Sequence, residues 1–310
     1  MEEVRRAERS RAVADVLYQS ILYKFDALGA PLLNKTALEE APGLRGTSLE
    51  ALTTGVHSAE ALDMVRTHLM SLLGPQMPQS EYAMQTTAVR ISKLQAAQVY
   101  AASVMFGYFL RRVDKRFQME KQFGTFKKST DETVAMLEEL FARSKSLDEL
   151  DGEDSAGLSD RDGGEGEGEG VKGEPTLQEY VESFDRQTLA ETAKVVSTEG
   201  VALLQEYTNS LFGSVQDLQT EMQNVMEGKE FDSQEKMFEA MQAALEGDEI
   251  QALTLTFADQ RRVILEAVAF GSFLRDTEAY VEVSHTSLLT PAPSGPGGPG
   301  APPPPPAALT

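Results

Sequence analysis

Glu266 is the most unusual titratable residue of this chain, because it stands inside Val263-Ile-Leu-Glu-Ala-Val-Ala-Phe270, where its neighbours imply burial. A buried carboxylate without a partner costs on the order of several kcal/mol, so the fold must supply one. Arg262, one helical turn earlier, is the nearest candidate at i,i+4 spacing. A ligand-facing or catalytic carboxylate is the other reading. A second concentration of charge, Arg111, Arg112, Lys115 and Arg116 around Asp114, covers about a turn and a half of helix. Its bland reading is a solvated face or a contact with acids elsewhere in the chain. Its functional reading is a site for an anionic cofactor or RNA. Taken as one ligand site, Glu266, Arg262, Tyr108, Arg111 and Arg275 would surround a cleft between two halves of the chain.

Other chemistry is easier to set aside. The three histidines, His57, His68 and His285, include no His-x-x-x-His or Glu-x-x-His pair, so no metal site and no cofactor are assigned. His57 is expected to pack beside a helix cap and His68 to lie on the polar edge of its helix. The absence of cysteine removes disulfides and thiolate chemistry. There is no Gly-x-Ser-x-Gly elbow, and the Gly-Glu repeat within 164–170 lacks the lysine of a phosphate loop. Gly124-Thr-Phe-Lys-Lys-Ser-Thr130 has lysine before Ser/Thr but no glycine directly in front of it. Asp151 to Asp162 spaces its acids like a calcium loop, but Ala156 stands where glycine is required and Asp162 where glutamate belongs. No catalytic residue is assigned.

Two long apolar helices must position these side chains, and they share a pattern. Ile91–Glu120 and Leu255–Ser284 align without a gap on Val-x-Phe-Gly-x-Phe-Leu-Arg, pairing Val104 with Val268, Phe106 with Phe270, Gly107 with Gly271, Phe109 with Phe273, Leu110 with Leu274 and Arg111 with Arg275. That points to an internal duplication about a pseudo-two-fold axis. Glycine inside a core helix costs roughly 1 kcal/mol against alanine, so its occurrence twice predicts a packing role. The two helices are expected to cross at Gly107 and Gly271, about 10 Å or less apart.

Short alternating stretches precede both helices, Thr86 to Leu94 and Leu253 to Phe257, and read as strands. Upstream, Val13, Leu17, Ile21 and Phe25 give a first helix from Arg5 to Leu28, stopped by Gly29 and Pro31. Thr47-Ser-Leu-Glu50 reads as a capping box for a short helix. Ser58 caps a helix ending at Gly74, and Asp185 is expected to play the same part for a helix ending at Gly213, with twelve more residues between the marks. Met222, Met226, Met237 and Met241 lie in an acidic insertion whose second helix Asp232-x-x-Glu235 would cap. Its bland reading is a helical pair closing over the core; the alternative is an adaptable surface for a protein partner.

The expected fold class is mainly α: an internally duplicated helical domain, helix–short strand–long helix in each half, with a small two-stranded β element. The expected organisation is an N-terminal half-domain at 1–146, an acidic Gly-rich disordered linker at 147–174, and a C-terminal half-domain at 175–287 with its insertion at 215–250. A Pro-rich disordered tail follows at 288–310. Charge is unevenly spread over these parts, +2 in 1–147, −9 in 148–174 and −14 in 175–310, for a net of −21. That balance argues against DNA and disfavours RNA. No apolar run reaches the roughly 20 residues needed to span a bilayer.

QVYAASVMFGYFLRRVDKRFQMEK (98–121) and RRVILEAVAFGSFLRDTEAYVE (261–282) resemble the plant "UV-B-induced protein, chloroplastic" family, an uncharacterised domain shared by plants, algae and cyanobacteria. RRAERSRAVADVLYQSILYKF (5–25) and LQEYVESFDRQTL (177–189) resemble it too. The resemblance implies a soluble helical protein of the chloroplast stroma and supplies no catalytic residues. Relatives carry a transit peptide and a further segment before the first helix, so this chain is expected to be a trimmed or incomplete form. The leading reading is a non-enzymatic factor that binds an unknown protein partner, in stress acclimation. Its alternative is a small-ligand binder or enzyme with a site between the halves. A filled apolar junction would favour the first and a deep polar pocket the second.

Overall fold

The structure is a computed structural model that describes residues 2–39, 48–74, 77–123, 175–227, 233–285 and 288–292. The readings made for 124–174, for Thr47 and Asp232, and for the tail from 293 lie outside the described residues. The chain divides into a large unit, Met1–Lys115 with Leu177–Thr310, and a second unit, Arg116–Thr176. Of the second unit the described part is mainly helical 116–123, where Arg116 pairs with Glu120 one turn on at 2.9 Å.

The described elements are helices joined by one small sheet. They run α1 (Glu2–Ala27), α2 (Lys35–Glu39), α3 (Ala59–Leu73), α4 (Glu81–Thr86), β1 (Ala88–Ser92) and α5 (Lys93–Phe123). After them come α6 (Leu177–Glu182), α7 (Arg186–Ala193), α8 (Thr198–Phe212), α9 (Val215–Met226), α10 (Gln234–Glu246), β2 (Ala252–Thr256) and α11 (Phe257–Ser284). The mainly helical class and the two-stranded element are both present.

α1 turns the apolar stripe Val13, Leu17, Ile21 and Phe25 into the core. It stops where Gly29 takes φ 65° and Ala30 donates back to the carbonyl of Phe25, a left-handed cap. The stripe rests on α8 and α11, and α11 also packs on α3 and α4. β1 and β2 pair antiparallel with Arg90 opposite Thr254 at the centre. The pair is closed at one end by Lys93 donating to the carbonyl of Gln251 (2.8 Å) and at the other by Phe257 donating to Thr87 (3.3 Å). Ser92 then caps α5 through Gln95, and Thr256 caps α11 through Asp259, which returns the bond in a full capping box.

α5 and α11 meet backbone to backbone. A Cβ built on Gly107 would lie 2.7 Å from the carbonyl carbon and 2.8 Å from the Cα of Val268. One built on Gly271 would lie 2.8 Å from the carbonyl carbon of Val104 and 2.7 Å from the amide nitrogen of Tyr108. Ser272 Oγ donates to the carbonyl of Gly107 at 3.0 Å across the same crossing. Phe270 and Phe273 are buried beside it, while Phe106 and Phe109 are half-buried.

Four local expectations need correction. The short helix expected after Thr47 is instead a run of turns through Val56, with Ser48 Oγ accepting from Ala51. Asp185 does cap a helix, but that helix, α7, ends at Ala193. The helix ending at Gly213 is α8, capped by Ser197, and like α3 it has 15 residues, so the twelve-residue discrepancy disappears. Ser233 caps α10. The segment 288–292, assigned to the tail, is pinned by Thr198 donating to Thr290 and Ala292 donating to Val196, both at 2.8 Å.

Candidate functional site

The five side chains expected around one cleft fall into separate clusters. Glu266 and Arg262 lie near the start of α11, whereas Tyr108, Arg111 and Arg275 gather beyond the glycine crossing.

Glu266 is buried, as its neighbours required, but the hydrogen bond it accepts comes from the backbone N–H of Leu33 at 2.9 Å. The expected partner, Arg262, supplies charge, and its guanidinium reaches the carbonyl of Pro31 at 3.4 Å. Tyr207 donates to the carbonyl of Leu33 at 2.6 Å. Three side chains from α8 and α11 thus clamp the loop between α1 and α2. Among the described residues Glu266 Oε2 and the hydroxyl of Tyr100 are buried with no partner in hydrogen-bonding geometry, the Tyr207 hydroxyl lying near that of Tyr100. Burial pushes the Glu266 carboxyl up to about 8, against the opposing pull of the Leu33 bond and the Arg262 charge. Tyr100 and Tyr207 are raised by the same burial and by the nearby carboxylate.

The second cluster centres on Glu278. It accepts from the hydroxyls of Tyr108 and Ser197 in two short hydrogen bonds, and Arg275 approaches it to 3.7 Å. The N–H of Val196 donates to the Tyr108 oxygen at 3.1 Å, and Ser197 also accepts from Gly200 as the cap of α8. Burial raises the Glu278 carboxyl, and the two hydroxyls oppose that rise. Ser58, the cap of α3, likewise donates to a buried carboxylate of a long helix, Asp114, at 2.7 Å. Ser197→Ala should remove a cap and strand a buried carboxylate oxygen, costing roughly 2–4 kcal/mol. Urea midpoints of the variant and parent would measure this, and coincident curves would refute it.

The basic cluster is spent on internal partners. Arg111 grips Asp276 with two nitrogens at 2.9 and 2.8 Å, and Lys115 reaches the same carboxylate at 2.5 Å. Burial works to raise Asp276, but these cations outweigh it and hold it below the usual carboxylate range. Arg112 donates to the carbonyls of Glu191, Thr192 and Lys194, neutralising the end of α7. An RNA site there would have to displace all of these. His57 is buried and held down to about 4 by burial and then by Arg111. His68, also lowered to about 4 by burial, stacks on Phe106 at 4.1 Å and meets Ser103 Oγ at 3.1 Å. Among the described residues no group of three or more acids and histidines could hold a metal ion. Nor is any helix among them long and apolar enough to cross a membrane.

Concave surface is found elsewhere, on the outside between α1 and α11. One open groove of about 770 Å³ is lined by Val16, Tyr23, Lys24 and Tyr280, and a neighbouring one of about 550 Å³ by Lys115, Asp276, Tyr280 and Val283. Neither touches Glu266 or Glu278.

Sequence reasoning missed Glu278, Ser197 and Tyr207. The signal available for Glu278 was its apolar turn partner Leu274 and its position, equivalent to Asp114 in the aligned helices.

Residues 3–123 match the family described as "Protein of unknown function (DUF760)". Along 292 residues, 93% of this chain, the sequence is 31% identical to a "UV-B-induced protein, chloroplastic" of Arabidopsis thaliana. The chain spans 63% of that relative's length. No solved structure matches.

Proposed function

We propose, for a chain that resembles the chloroplastic UV-B-induced protein family over nearly all of its length, that it is a non-enzymatic plastid factor working through another protein. The plastid follows from the relative, and the stroma and a part in stress acclimation are what we propose from it. One observation supports the protein-binding reading: among the described residues the crossing of α5 and α11 is filled by backbone contact at Gly107 and Gly271, in place of the cleft between the halves that the sequence predicts. The open grooves and exposed apolar side chains lie on the outer faces. The orphaned oxygens of Glu266 and Tyr100 favour the second reading, a small polar ligand bound inside the fold.

The duplicated architecture belongs to the same proposal. α3 and α8 each have 15 residues, a serine cap, and a terminal glycine with positive φ (73° and 99°). His68 stacks on Phe106 and Tyr207 on Phe270, each with rings 6° from parallel. These pairs, with Ser58–Asp114 and Ser197–Glu278, support two copies of one unit, α3–β1–α5 and α8–β2–α11.

Purification of the native protein, with mass spectrometry of everything that co-elutes, tests the functional reading. A protein retained at constant stoichiometry is expected. A small molecule bound one to one, with no protein partner, would overturn it.

A further inference from the structure

We propose that α9 and α10 form the docking surface for a basic amphipathic helix of a partner protein, which deepens the protein-binding reading and rests on it. Along α9, Val215, Leu218, Met222, Val225 and Met226 recur at helical spacing, yet only Leu218 among them is fully buried. Along α10 the corresponding residues are Met237, Phe238, Met241, Ala244 and Leu245. The C-terminal end of that stripe is seated, with Ala244 buried and the helix packed on β1. Its N-terminal end stands in water, Met237 43% exposed and Phe238 65% exposed. Two apolar stripes are therefore anchored at one place and unfilled at another. Methionine thioethers and one aromatic ring make an adaptable lining for an incoming apolar helix face.

Charge selects the occupant. Residues 215–249 hold ten acids and two bases, a net of −8. Asp217, Glu227, Glu235, Glu239 and Glu246 are exposed, and none enters an ion pair among the described residues. Asp248 of this region does pair with Arg90, and elsewhere in the fold exposed acids find cations too, as Asp63 finds Arg66 and Glu39 finds Lys93. A second copy pairing this face with itself would set one acidic surface against another, which is repulsive. A helix with lysine or arginine flanking its apolar stripe satisfies both the unfilled side chains and the unneutralised carboxylates.

The test uses the full chain and a labelled synthetic Leu/Lys helix of about 18 residues with helical spacing, followed by fluorescence anisotropy. The scrambled peptide of the same composition and a Leu/Glu helix serve as controls. Binding of the Leu/Lys helix should exceed that of either control by about tenfold or more and weaken between about 50 and 200 mM salt. The double variant Met237→Gln/Phe238→Gln keeps the charge and should lose about tenfold in affinity. Glu235→Gln/Glu239→Gln should flatten the salt dependence. Equal binding of the scrambled peptide, unchanged binding by the methionine–phenylalanine variant, or no binding at all would overturn the proposal. So would a concentration-dependent dimer that the same variant dissolves. If a partner captured by the native protein stays with Met237→Gln/Phe238→Gln, the protein-binding reading stands and this face is wrong. If the native protein captures none, the broader reading has failed first.

Discussion

Gly271→Ala should destabilise the protein by about 3 kcal/mol or more, at or above the top of the usual range for overpacking. The new methyl would land on the carbonyl of Val104 and on the amide of Tyr108, and backbone cannot swing aside as a side chain can. The helices would have to separate along the crossing, opening the packing around Val104, Val268 and Phe270, all fully buried. Gly107→Ala should behave alike, since its methyl would meet Val268 in the same way. Gly213→Ala is the control. There the strain is confined to a backbone at φ 99° and ψ 177° with open space around, so the cost should stay within about 1–3 kcal/mol, below that at Gly271. Truncating the opposing side chain, as in Val104→Ala/Gly271→Ala, should give no rescue, because the obstacle is main chain. Urea denaturation of the set decides the matter; rescue by the double variant, or equal losses at Gly271 and Gly213, would contradict this account.

Glu266 should make the stability of the protein fall as pH rises from about 4.5 toward 8. Its folded carboxyl, near 8, holds a proton that the unfolded carboxyl, near 4.5, has released. Between those values the folded state binds more protons, so each pH unit costs up to about 1.4 kcal/mol. Glu266→Gln, neutral at every pH and able to accept from Leu33, should lack this slope. Below about pH 4 the two proteins should melt close together; from there the glutamine variant should pull ahead, by about 2 kcal/mol at about pH 6, until the gap levels off near pH 8. Glu266→Ala should be destabilised by roughly 1–3 kcal/mol, since it leaves the buried amide of Leu33 without its acceptor. Thermal melts across this range give the answer, and parallel curves for parent and Glu266→Gln would defeat it. Arg262, Asp259, Tyr100 and Tyr207 face the same region, so the difference between the two proteins is the informative quantity.

What the sequence revealed follows from how local each signal was. Glycine within Val-x-Phe-Gly-x-Phe-Leu-Arg is conspicuous because it breaks a local preference, and it occurs twice. The strands announced themselves by alternation within five residues. Ser197 was hidden because Asp185 offered an equally good cap twelve residues earlier, and only the break in the helix after Ala193 decides which cap starts α8. The burial of Glu266 was legible in its neighbours. Its hydrogen-bond partner was not, because the N–H of Leu33 belongs to a loop more than 200 residues away, and a backbone amide leaves no mark in composition. The proposed cleft failed for a geometric reason. Arg111 and Arg275 each sit four residues past a glycine, one turn beyond the crossing, whereas Glu266 lies five residues before Gly271.

The sheet has a consequence for how the chain is made. The partner of Arg90 in β1 is Thr254 in β2, roughly 160 positions later, and the two strands bond to each other. A ribosome adding about 5–20 residues per second leaves β1 without that partner for about 8–30 seconds. Throughout that interval Val89 and Ile91 lie on an unpaired strand beside the bare glycine notch of α5, a surface open to wrong pairings. Native pairing joins distant segments, so closure of the fold is expected to be slow. Production of the full chain should therefore depend on a holding chaperone more than its modest size alone would require.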